Sequence, residues 1–268
     1  MSTFSDVDRS TRPQGLVQYL ERAQRGLAGP RARLREGLGL RPGERVLDLG
    51  CGAGHELAQL EEDGLTAVGV DISAVMLQAS RARLTDQDLE CRLAQADGAR
   101  LPFRDGAFDV CRIERVLQHV ADPAAVLAEV HRVLRPDGGR IAVSEPDWAS
   151  FTVDSADPET AAAVGARVGA GIAQRDMGRR LRRLLNAAGF VDVRIEVELA
   201  VYASLTELDL VISLRRAAER AVAERAIGQQ RAEGWLLEQQ RLSDGGGFHA
   251  TLNRSVMAWA QRAQHRNT

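Results

Sequence analysis

An apolar run that ends in alternating glycines and then turns helical leaves a chain few ways to fold. Residues 46–56, Val46-Leu47-Asp48-Leu49-Gly50-Cys51-Gly52-Ala53-Gly54-His55-Glu56, are such a run. The pattern predicts a strand, a loop with three positions bare of Cβ, and a helix whose free N–H groups point at the loop. A carboxylate or phosphate suits that helix end.

The surrounding pattern extends the same theme. Between residues 41 and 147, apolar runs at 45–49, 66–72, 89–96, 108–113 and 140–144 alternate with helical spacing at 56–62, 73–84 and 123–134. This alternation predicts βαβ units and a parallel sheet. Asp122 is the expected N-cap of the last helix, with Pro123 at its first position, and Pro136-Asp137-Gly138-Gly139 is the expected stop. Residues 14–38 read as a helical arm broken at Gly29-Pro30. After Trp148 the chain reads as helices at 158–174 and 177–188, a sixth strand at 191–201, helices at 205–227 and 232–242, and a last strand at 248–259. The expected organisation is therefore an arm over 1–40, a parallel-sheet core over 41–148, and a remainder of the same domain over 149–268 with helical lids near 149–188 and 205–242.

Composition removes several alternatives. Formal charge is -2, and all 35 basic residues are Arg, so lysine Schiff-base chemistry is excluded and no basic excess suggests a nucleic-acid partner. The three cysteines, Cys51, Cys91 and Cys111, form no C-x-x-C pair, so neither a metal site nor a disulfide framework is expected. With no signal-peptide pattern at the N-terminus and no long uncharged apolar run, a cytoplasmic protein with no membrane partner is expected.

Spacing sharpens the loop. Asp71 ends the second run 21 residues after Gly50, where a carboxylate accepts from ribose hydroxyls, and Asp97-Gly98 ends the third. A nicotinamide fingerprint, G-x-G-x-x-G, would put His55 at its third glycine, so it does not fit. The observed G-x-G-x-G behind Asp48 resembles the class I S-adenosylmethionine-dependent methyltransferases. Residues 46–54, 68–72 and 96–103 resemble that family's first three motifs, Phe108-Asp109-Val110 with residues 116–123 resembles its fourth strand and sequel, and residues 134–140 its fifth-strand turn. Among subfamilies the chain looks most like relatives of the ubiquinone and menaquinone biosynthesis enzymes, a group that also supplies natural-product tailoring enzymes.

The resemblance implies a seven-stranded, mostly parallel Rossmann-like α/β fold and methyl transfer from S-adenosyl-L-methionine to a small molecule, leaving S-adenosyl-L-homocysteine. It implies that Asp48 orients the loop and meets the methionine amine. Gly50, Gly52 and Gly54 let backbone approach the cofactor. Asp71 holds the ribose, Ile72 packs on adenine, Asp97 and Gly98 contact its polar edge, and Glu114 lies near the methionine part. Family members often carry Thr at Ala53 and His at Gln118. A non-methylating reaction such as cyclisation, or a non-catalytic cofactor-binding partner protein, would keep the same residues.

His119 is the expected base, if the acceptor must lose a proton; the competing reading packs it on the Asp122-Pro123 turn. Glu145, Asp147 and Trp148, just past the fifth run, are expected at the substrate wall, against a simple turn at Pro146 with both carboxylates in water. Tyr19 and Trp235 stand in the helical regions that could cover the crevice. His55 reads as cofactor-adjacent, Cys51 as a small side chain under the loop, and the run Arg179, Arg180, Arg182, Arg183 as a solvated helix face. A monomer or homodimer is expected.

Overall fold

The computed structural model describes residues 28–90 and 92–263. A seven-stranded sheet forms its centre: β1 (Arg45–Leu49), β2 (Thr66–Asp71), β3 (Leu93–Gln95), β4 (Val110–Glu114), β5 (Arg140–Val153), β6 (Phe190–Tyr202) and β7 (Ala250–Arg262), in the order β3-β2-β1-β4-β5-β7-β6. The first five strands pair in parallel, and β7 runs antiparallel to both β5 and β6. The expected Rossmann-like α/β fold is therefore present. The order reverses at β1, whose neighbours β2 and β4 leave a crevice at their carboxyl ends, where open α/β sheets take ligands.

Alternation along the strands sorts the core into two layers. Leu47, Leu49, Cys111, Ile113, Ile141 and Val143 meet α4 (Pro123–Val133) and α6 (Met177–Ala187). Val46, Val110, Ala142, Met257 and Trp259 meet α1 (Ala28–Leu38), α2 (His55–Glu62) and α3 (Ala74–Asp86). The α1 helix is held down by buried Leu34 and Leu38, and the Leu34 carbonyl accepts from Trp259 Nε1 at 3.0 Å. Gly29 and Pro30, read as a break, stand in the first turn described for this helix, where a missing N–H has no intrahelical partner to lose. Asp122 caps α4 as expected, its Oδ1 accepting from the Ala124 and Ala125 amides.

Several expected boundaries move. The fifth strand does not stop at residue 144 but runs to Val153; the ladder to β7 shifts register between Glu145 and Asp147, and that irregularity accommodates Pro146, which has no N–H to donate. The third strand shrinks to Leu93–Gln95, because Leu89 N–H still bonds the Leu84 carbonyl at the end of α3. The helix expected over 158–174 ends early, as α5 (Pro158–Gly165). The one expected over 205–227 is two, α7 (Leu205–Asp209) and α8 (Leu214–Ala223), the second capped by the Ser213 hydroxyl.

The outer halves of β5, β6 and β7 carry a further core. Trp148, Phe151, Tyr202, Ala250 and Leu252 pack there against α5, α8 and α9 (Gln229–Asp244). This places a helical cover, rooted on the extended strands, over the carboxyl edge of the sheet. Among the described residues, no helix is long and apolar enough to cross a membrane.

Candidate functional site

A cleft of about 770 Å³ opens where these two parts meet. Its floor comes from the ends of β1, β2 and β4 and the segment after β3: Asp48, Gly50, Gly52, Asp71, Ile72, Asp97, Gly98 and Glu114 all line it. The opposite wall comes from Arg115, Trp148, residues 167–172, residues 211–213, Arg216, Ala217 and Arg220. Every expected cofactor residue except Gly54 faces this one space.

The three loop glycines do different work. All have positive φ, at 75°, 53° and 76° for Gly50, Gly52 and Gly54, which other residues adopt at a cost. A Cβ at Gly50 would collide with Val116, and one at Gly54 with Ser80, so these two are glycines because the protein itself packs against them. Only Gly52 would place its Cβ in open space, within the cleft. Of the three, Gly52 leaves bare backbone open to the cleft, while Gly54 packs closely against α3.

Asp71 sits at the end of β2 and fixes the loop: Oδ2 accepts from Gly52 N–H at 2.9 Å and Oδ1 from Ser73 N–H at 2.9 Å. Ile72 is 54% exposed beside the crevice, an apolar face left uncovered next to polar strand ends. Asp97 Oδ1 accepts from Ala99 N–H at 2.9 Å, closing a tight turn at Gly98.

Asp48 proves more enclosed than expected. It is 1% exposed, and its Oδ1 accepts from Arg112 Nη1 at 2.8 Å. Asp48 and Arg112 are partners in the β1–β4 register and project on the face covered by α1 and α2. There Arg112 also bonds Glu114, Arg31 Nε bonds Glu114 at 2.7 Å, and Arg35 Nη1 bonds Glu56 at 3.0 Å. Three guanidiniums thus meet three carboxylates at the foot of the cleft. Burial pushes the Asp48 carboxyl up despite Arg112, while Arg112 and Arg31 together overcome burial and hold Glu114 below the usual carboxylate range. With its side chain committed to arginines, Glu114 has only backbone left for a ligand. Sequence reading missed this network. Its signal was the charge at Arg112 inside the otherwise apolar Val110-Cys111-Arg112-Ile113, because a strand buried on both faces reads as uninterrupted apolar residues.

His119 lines the cleft beside Arg115. Burial and then the Arg115 charge lower its pKa to about 4, so the imidazole is neutral at pH 7. Gln118 is 1% exposed and locks the turn: its Oε1 accepts from Trp148 Nε1 at 2.8 Å and its Nε2 donates to the Arg115 carbonyl at 3.3 Å. Cys51 lines the cleft but is buried, as does His55 at the start of α2.

The substrate-wall expectation divides. Trp148 faces the cleft, but Glu145 and Asp147 do not line it, nor do they face water. Glu145 is 0% exposed, with Oε1 accepting from the Val116 and Leu117 amides at 2.8 and 2.6 Å; burial pushes its pKa up to about 8. Asp147 accepts from Arg179 Nε at 2.6 Å, which takes one arginine of the expected solvated face. Trp235 is likewise away from the cleft, in the helical core with Nε1 donating to Ser155 Oγ at 3.0 Å. Tyr19 lies outside the described residues. No cluster among the described residues could hold a metal ion.

Comparison with known proteins matches residues 47–142 to a family described as a methyltransferase domain. A Streptomyces fradiae protein, an uncharacterised 37.1 kDa product of a transposon, is 38% identical over 229 residues, 84% of this chain and 65% of that protein. A demethylmenaquinone methyltransferase of Beutenbergia cavernae is 43% identical over 119 residues, covering 43% of this chain and 48% of the enzyme. The chain thus spans less than two thirds of either relative. Among solved structures, a Haemonchus contortus phosphoethanolamine N-methyltransferase 2 in complex with S-adenosyl-L-methionine superposes with a TM-score of 0.59 at 18% identity, covering 98% of this chain and 60% of that one.

Proposed function

The chain belongs to the class I S-adenosylmethionine-dependent methyltransferases, and from that premise we propose that it transfers a methyl group to a small-molecule acceptor, quinone-like or a natural-product intermediate. The observation that carries this reading is the convergence of Gly52, Asp71, Ile72, Asp97 and Gly98 on one wall of a single cleft. Their chemistry suits an adenosine: two carboxylates at strand ends to accept hydroxyl and amine hydrogens, an exposed Ile face for a flat ring, and a bare backbone position at Gly52. At the other end, Arg31 and the backbone near Glu114 adjoin the space for an amino-acid tail.

When bound, S-adenosylmethionine supplies a sulfonium-activated methyl group, so the protein's share is placement and exclusion of water. Trp148, Val168, Ile172 and Ile212 give the opposite wall an apolar lining for the acceptor. His119 adjoins that side, and its neutral imidazole can hold an acceptor hydroxyl and take its proton. Burial of Glu145 against the Val116 and Leu117 amides holds the turn from which His119 projects. The Beutenbergia relative, whose name gives demethylmenaquinone as the acceptor and which is 43% identical over 119 residues, supports a quinone-like acceptor.

The test is product mass. The protein is incubated with methyl-labelled S-adenosylmethionine and a panel of phenols, quinols and aromatic acids. Label in the acceptor with matching S-adenosylhomocysteine supports the reading. An acceptor isomerised without label, or cofactor bound with no product from any acceptor, contradicts it.

A further inference from the structure

The wall opposite the cofactor residues carries an unbalanced charge. Four arginines line it, Arg115, Arg167, Arg216 and Arg220, and the remaining lining residues of that wall include no Asp or Glu. Glu224 serves two of them, bonding Arg167 Nε and Arg220 Nε each at 3.1 Å. Arg115 and Arg216 have no ion-pair partner among the described residues. The Arg115 charge acts on the carboxyl of Glu145, but burial outweighs it and pushes that pKa up to about 8.

Arg115 is also placed at a cost. Its φ of 58° puts a non-glycine residue in the left-handed region, and the conformation is held by its own N–H bonding the Ser144 carbonyl at 2.9 Å and by Gln118 bonding its carbonyl. The guanidinium carbon lies over the Trp148 ring, 5.6 Å from its centroid, a cation–π contact at the apolar wall. Arg216 reaches the same wall from α8, two positions into a helix whose buried face is Leu214, Ala217, Ala218 and Ala221. A cation without a partner, held by backbone strain and an aromatic face beside apolar surface, is suited to the anionic end of an otherwise apolar ligand.

Resting on the methyltransferase reading, we infer that the acceptor carries a carboxylate, received by Arg115 and Arg216 while Trp148, Val168 and Ile212 cover its apolar body. Guanidinium favours carboxylate by bidentate donation, and the apolar surroundings strengthen the pair relative to water. Such a contact orients the acceptor as well as holding it, since Arg115 is seated on Trp148 and Arg216 approaches from a different element.

The probes are 1-hydroxy-2-naphthoate and 1-naphthol, which share the ring and hydroxyl and differ in the carboxylate. Each is titrated calorimetrically into protein saturated with S-adenosylhomocysteine. The naphthoate is expected to bind at least about tenfold more tightly than the naphthol. Arg115→Gln is expected to erase that difference. Arg216→Gln, exposed on α8 and so free of folding risk, should reduce it severalfold. Equal binding of the two probes, binding of neither, or a naphthoate preference untouched by Arg216→Gln overturns the inference. Absence of S-adenosylhomocysteine binding at the outset instead overturns the methyltransferase reading, so the two failures are distinguishable.

Discussion

Replacing Glu145 with Gln should stabilise the protein, and increasingly so as pH rises. The side chain is fully buried; Oε1 accepts two amides, while Oε2 has no partner and no access to water. Burial raises its pKa from 4.5 to about 8, with the amides and Arg115 opposing. The folded protein therefore keeps a proton that the unfolded chain releases. Stability from this group is fully present below pH 4.5 and is lost as pH rises through 8. At 1.36 kcal/mol per unit the gap amounts to about 5 kcal/mol above pH 8 and about 3 kcal/mol at pH 7, as orders of magnitude. Gln keeps the accepting oxygen and cannot ionise. Urea denaturation followed by fluorescence of the buried Trp148, Trp235 and Trp259 gives the comparison at pH 5 and pH 8. His119 titrates in the opposite sense between about 4 and 6.5 but is present in both proteins, so it cancels in the difference. The variant should match the native protein near pH 5 and exceed it by several kcal/mol at pH 8. A constant difference across that range, or a variant less stable at pH 8, would mean that Glu145 is ionised with a partner and would refute the reasoning.

Two further substitutions separate packing from binding. Gly52→Ala adds a methyl group to open cleft space at φ 53°; it should cost about 1 kcal/mol of stability but weaken S-adenosylhomocysteine binding at least about tenfold, whereas Gly50→Ala, colliding with Val116, should lower the unfolding temperature far more. Calorimetric titration and thermal melts read both effects. His119→Gln should leave S-adenosylhomocysteine affinity unchanged and lower kcat by about tenfold to a hundredfold, and the native pH–rate profile should show its acid limb near 4 rather than 6.5. Unchanged kcat would return His119 to a packing role.

The nucleotide half of the site was readable because its requirements are local. A glycine loop between apolar run and helix, and acidic residues at the ends of the next two runs, follow from chain order alone, and the cleft does assemble Asp48, Gly52, Asp71, Ile72 and Asp97. The buried network was not readable in the same way. Arg112 meets Asp48 only through the β1–β4 register, and Arg31 arrives from a helix 83 residues away. Glu145 and Asp147 were misplaced because Pro146 reads as a turn, while in the fold a register shift absorbs it and the strand continues, turning Glu145 inward to the Val116 amide. The cover was least legible. Trp235 has the same helical spacing whether it faces a ligand or a core, and only tertiary packing puts it in the second. Arg115 gave no local sign at all, since neither its left-handed backbone nor its lack of an acidic partner is written in neighbouring residues.

The most direct test of the cofactor site is a calorimetric titration of S-adenosylhomocysteine into the native protein and into Asp71→Asn, with NAD as the comparison ligand. Asparagine keeps one accepting oxygen, so one of the two loop amides loses its acceptor, and it loses the charge that strengthens a ribose contact. The account predicts single-site micromolar binding to the native protein, at least about tenfold weaker binding to a variant that still unfolds cooperatively at a somewhat lower temperature, and no binding of NAD. Native protein that fails to bind S-adenosylhomocysteine, or a variant that binds it equally well, would contradict the assignment of this cleft.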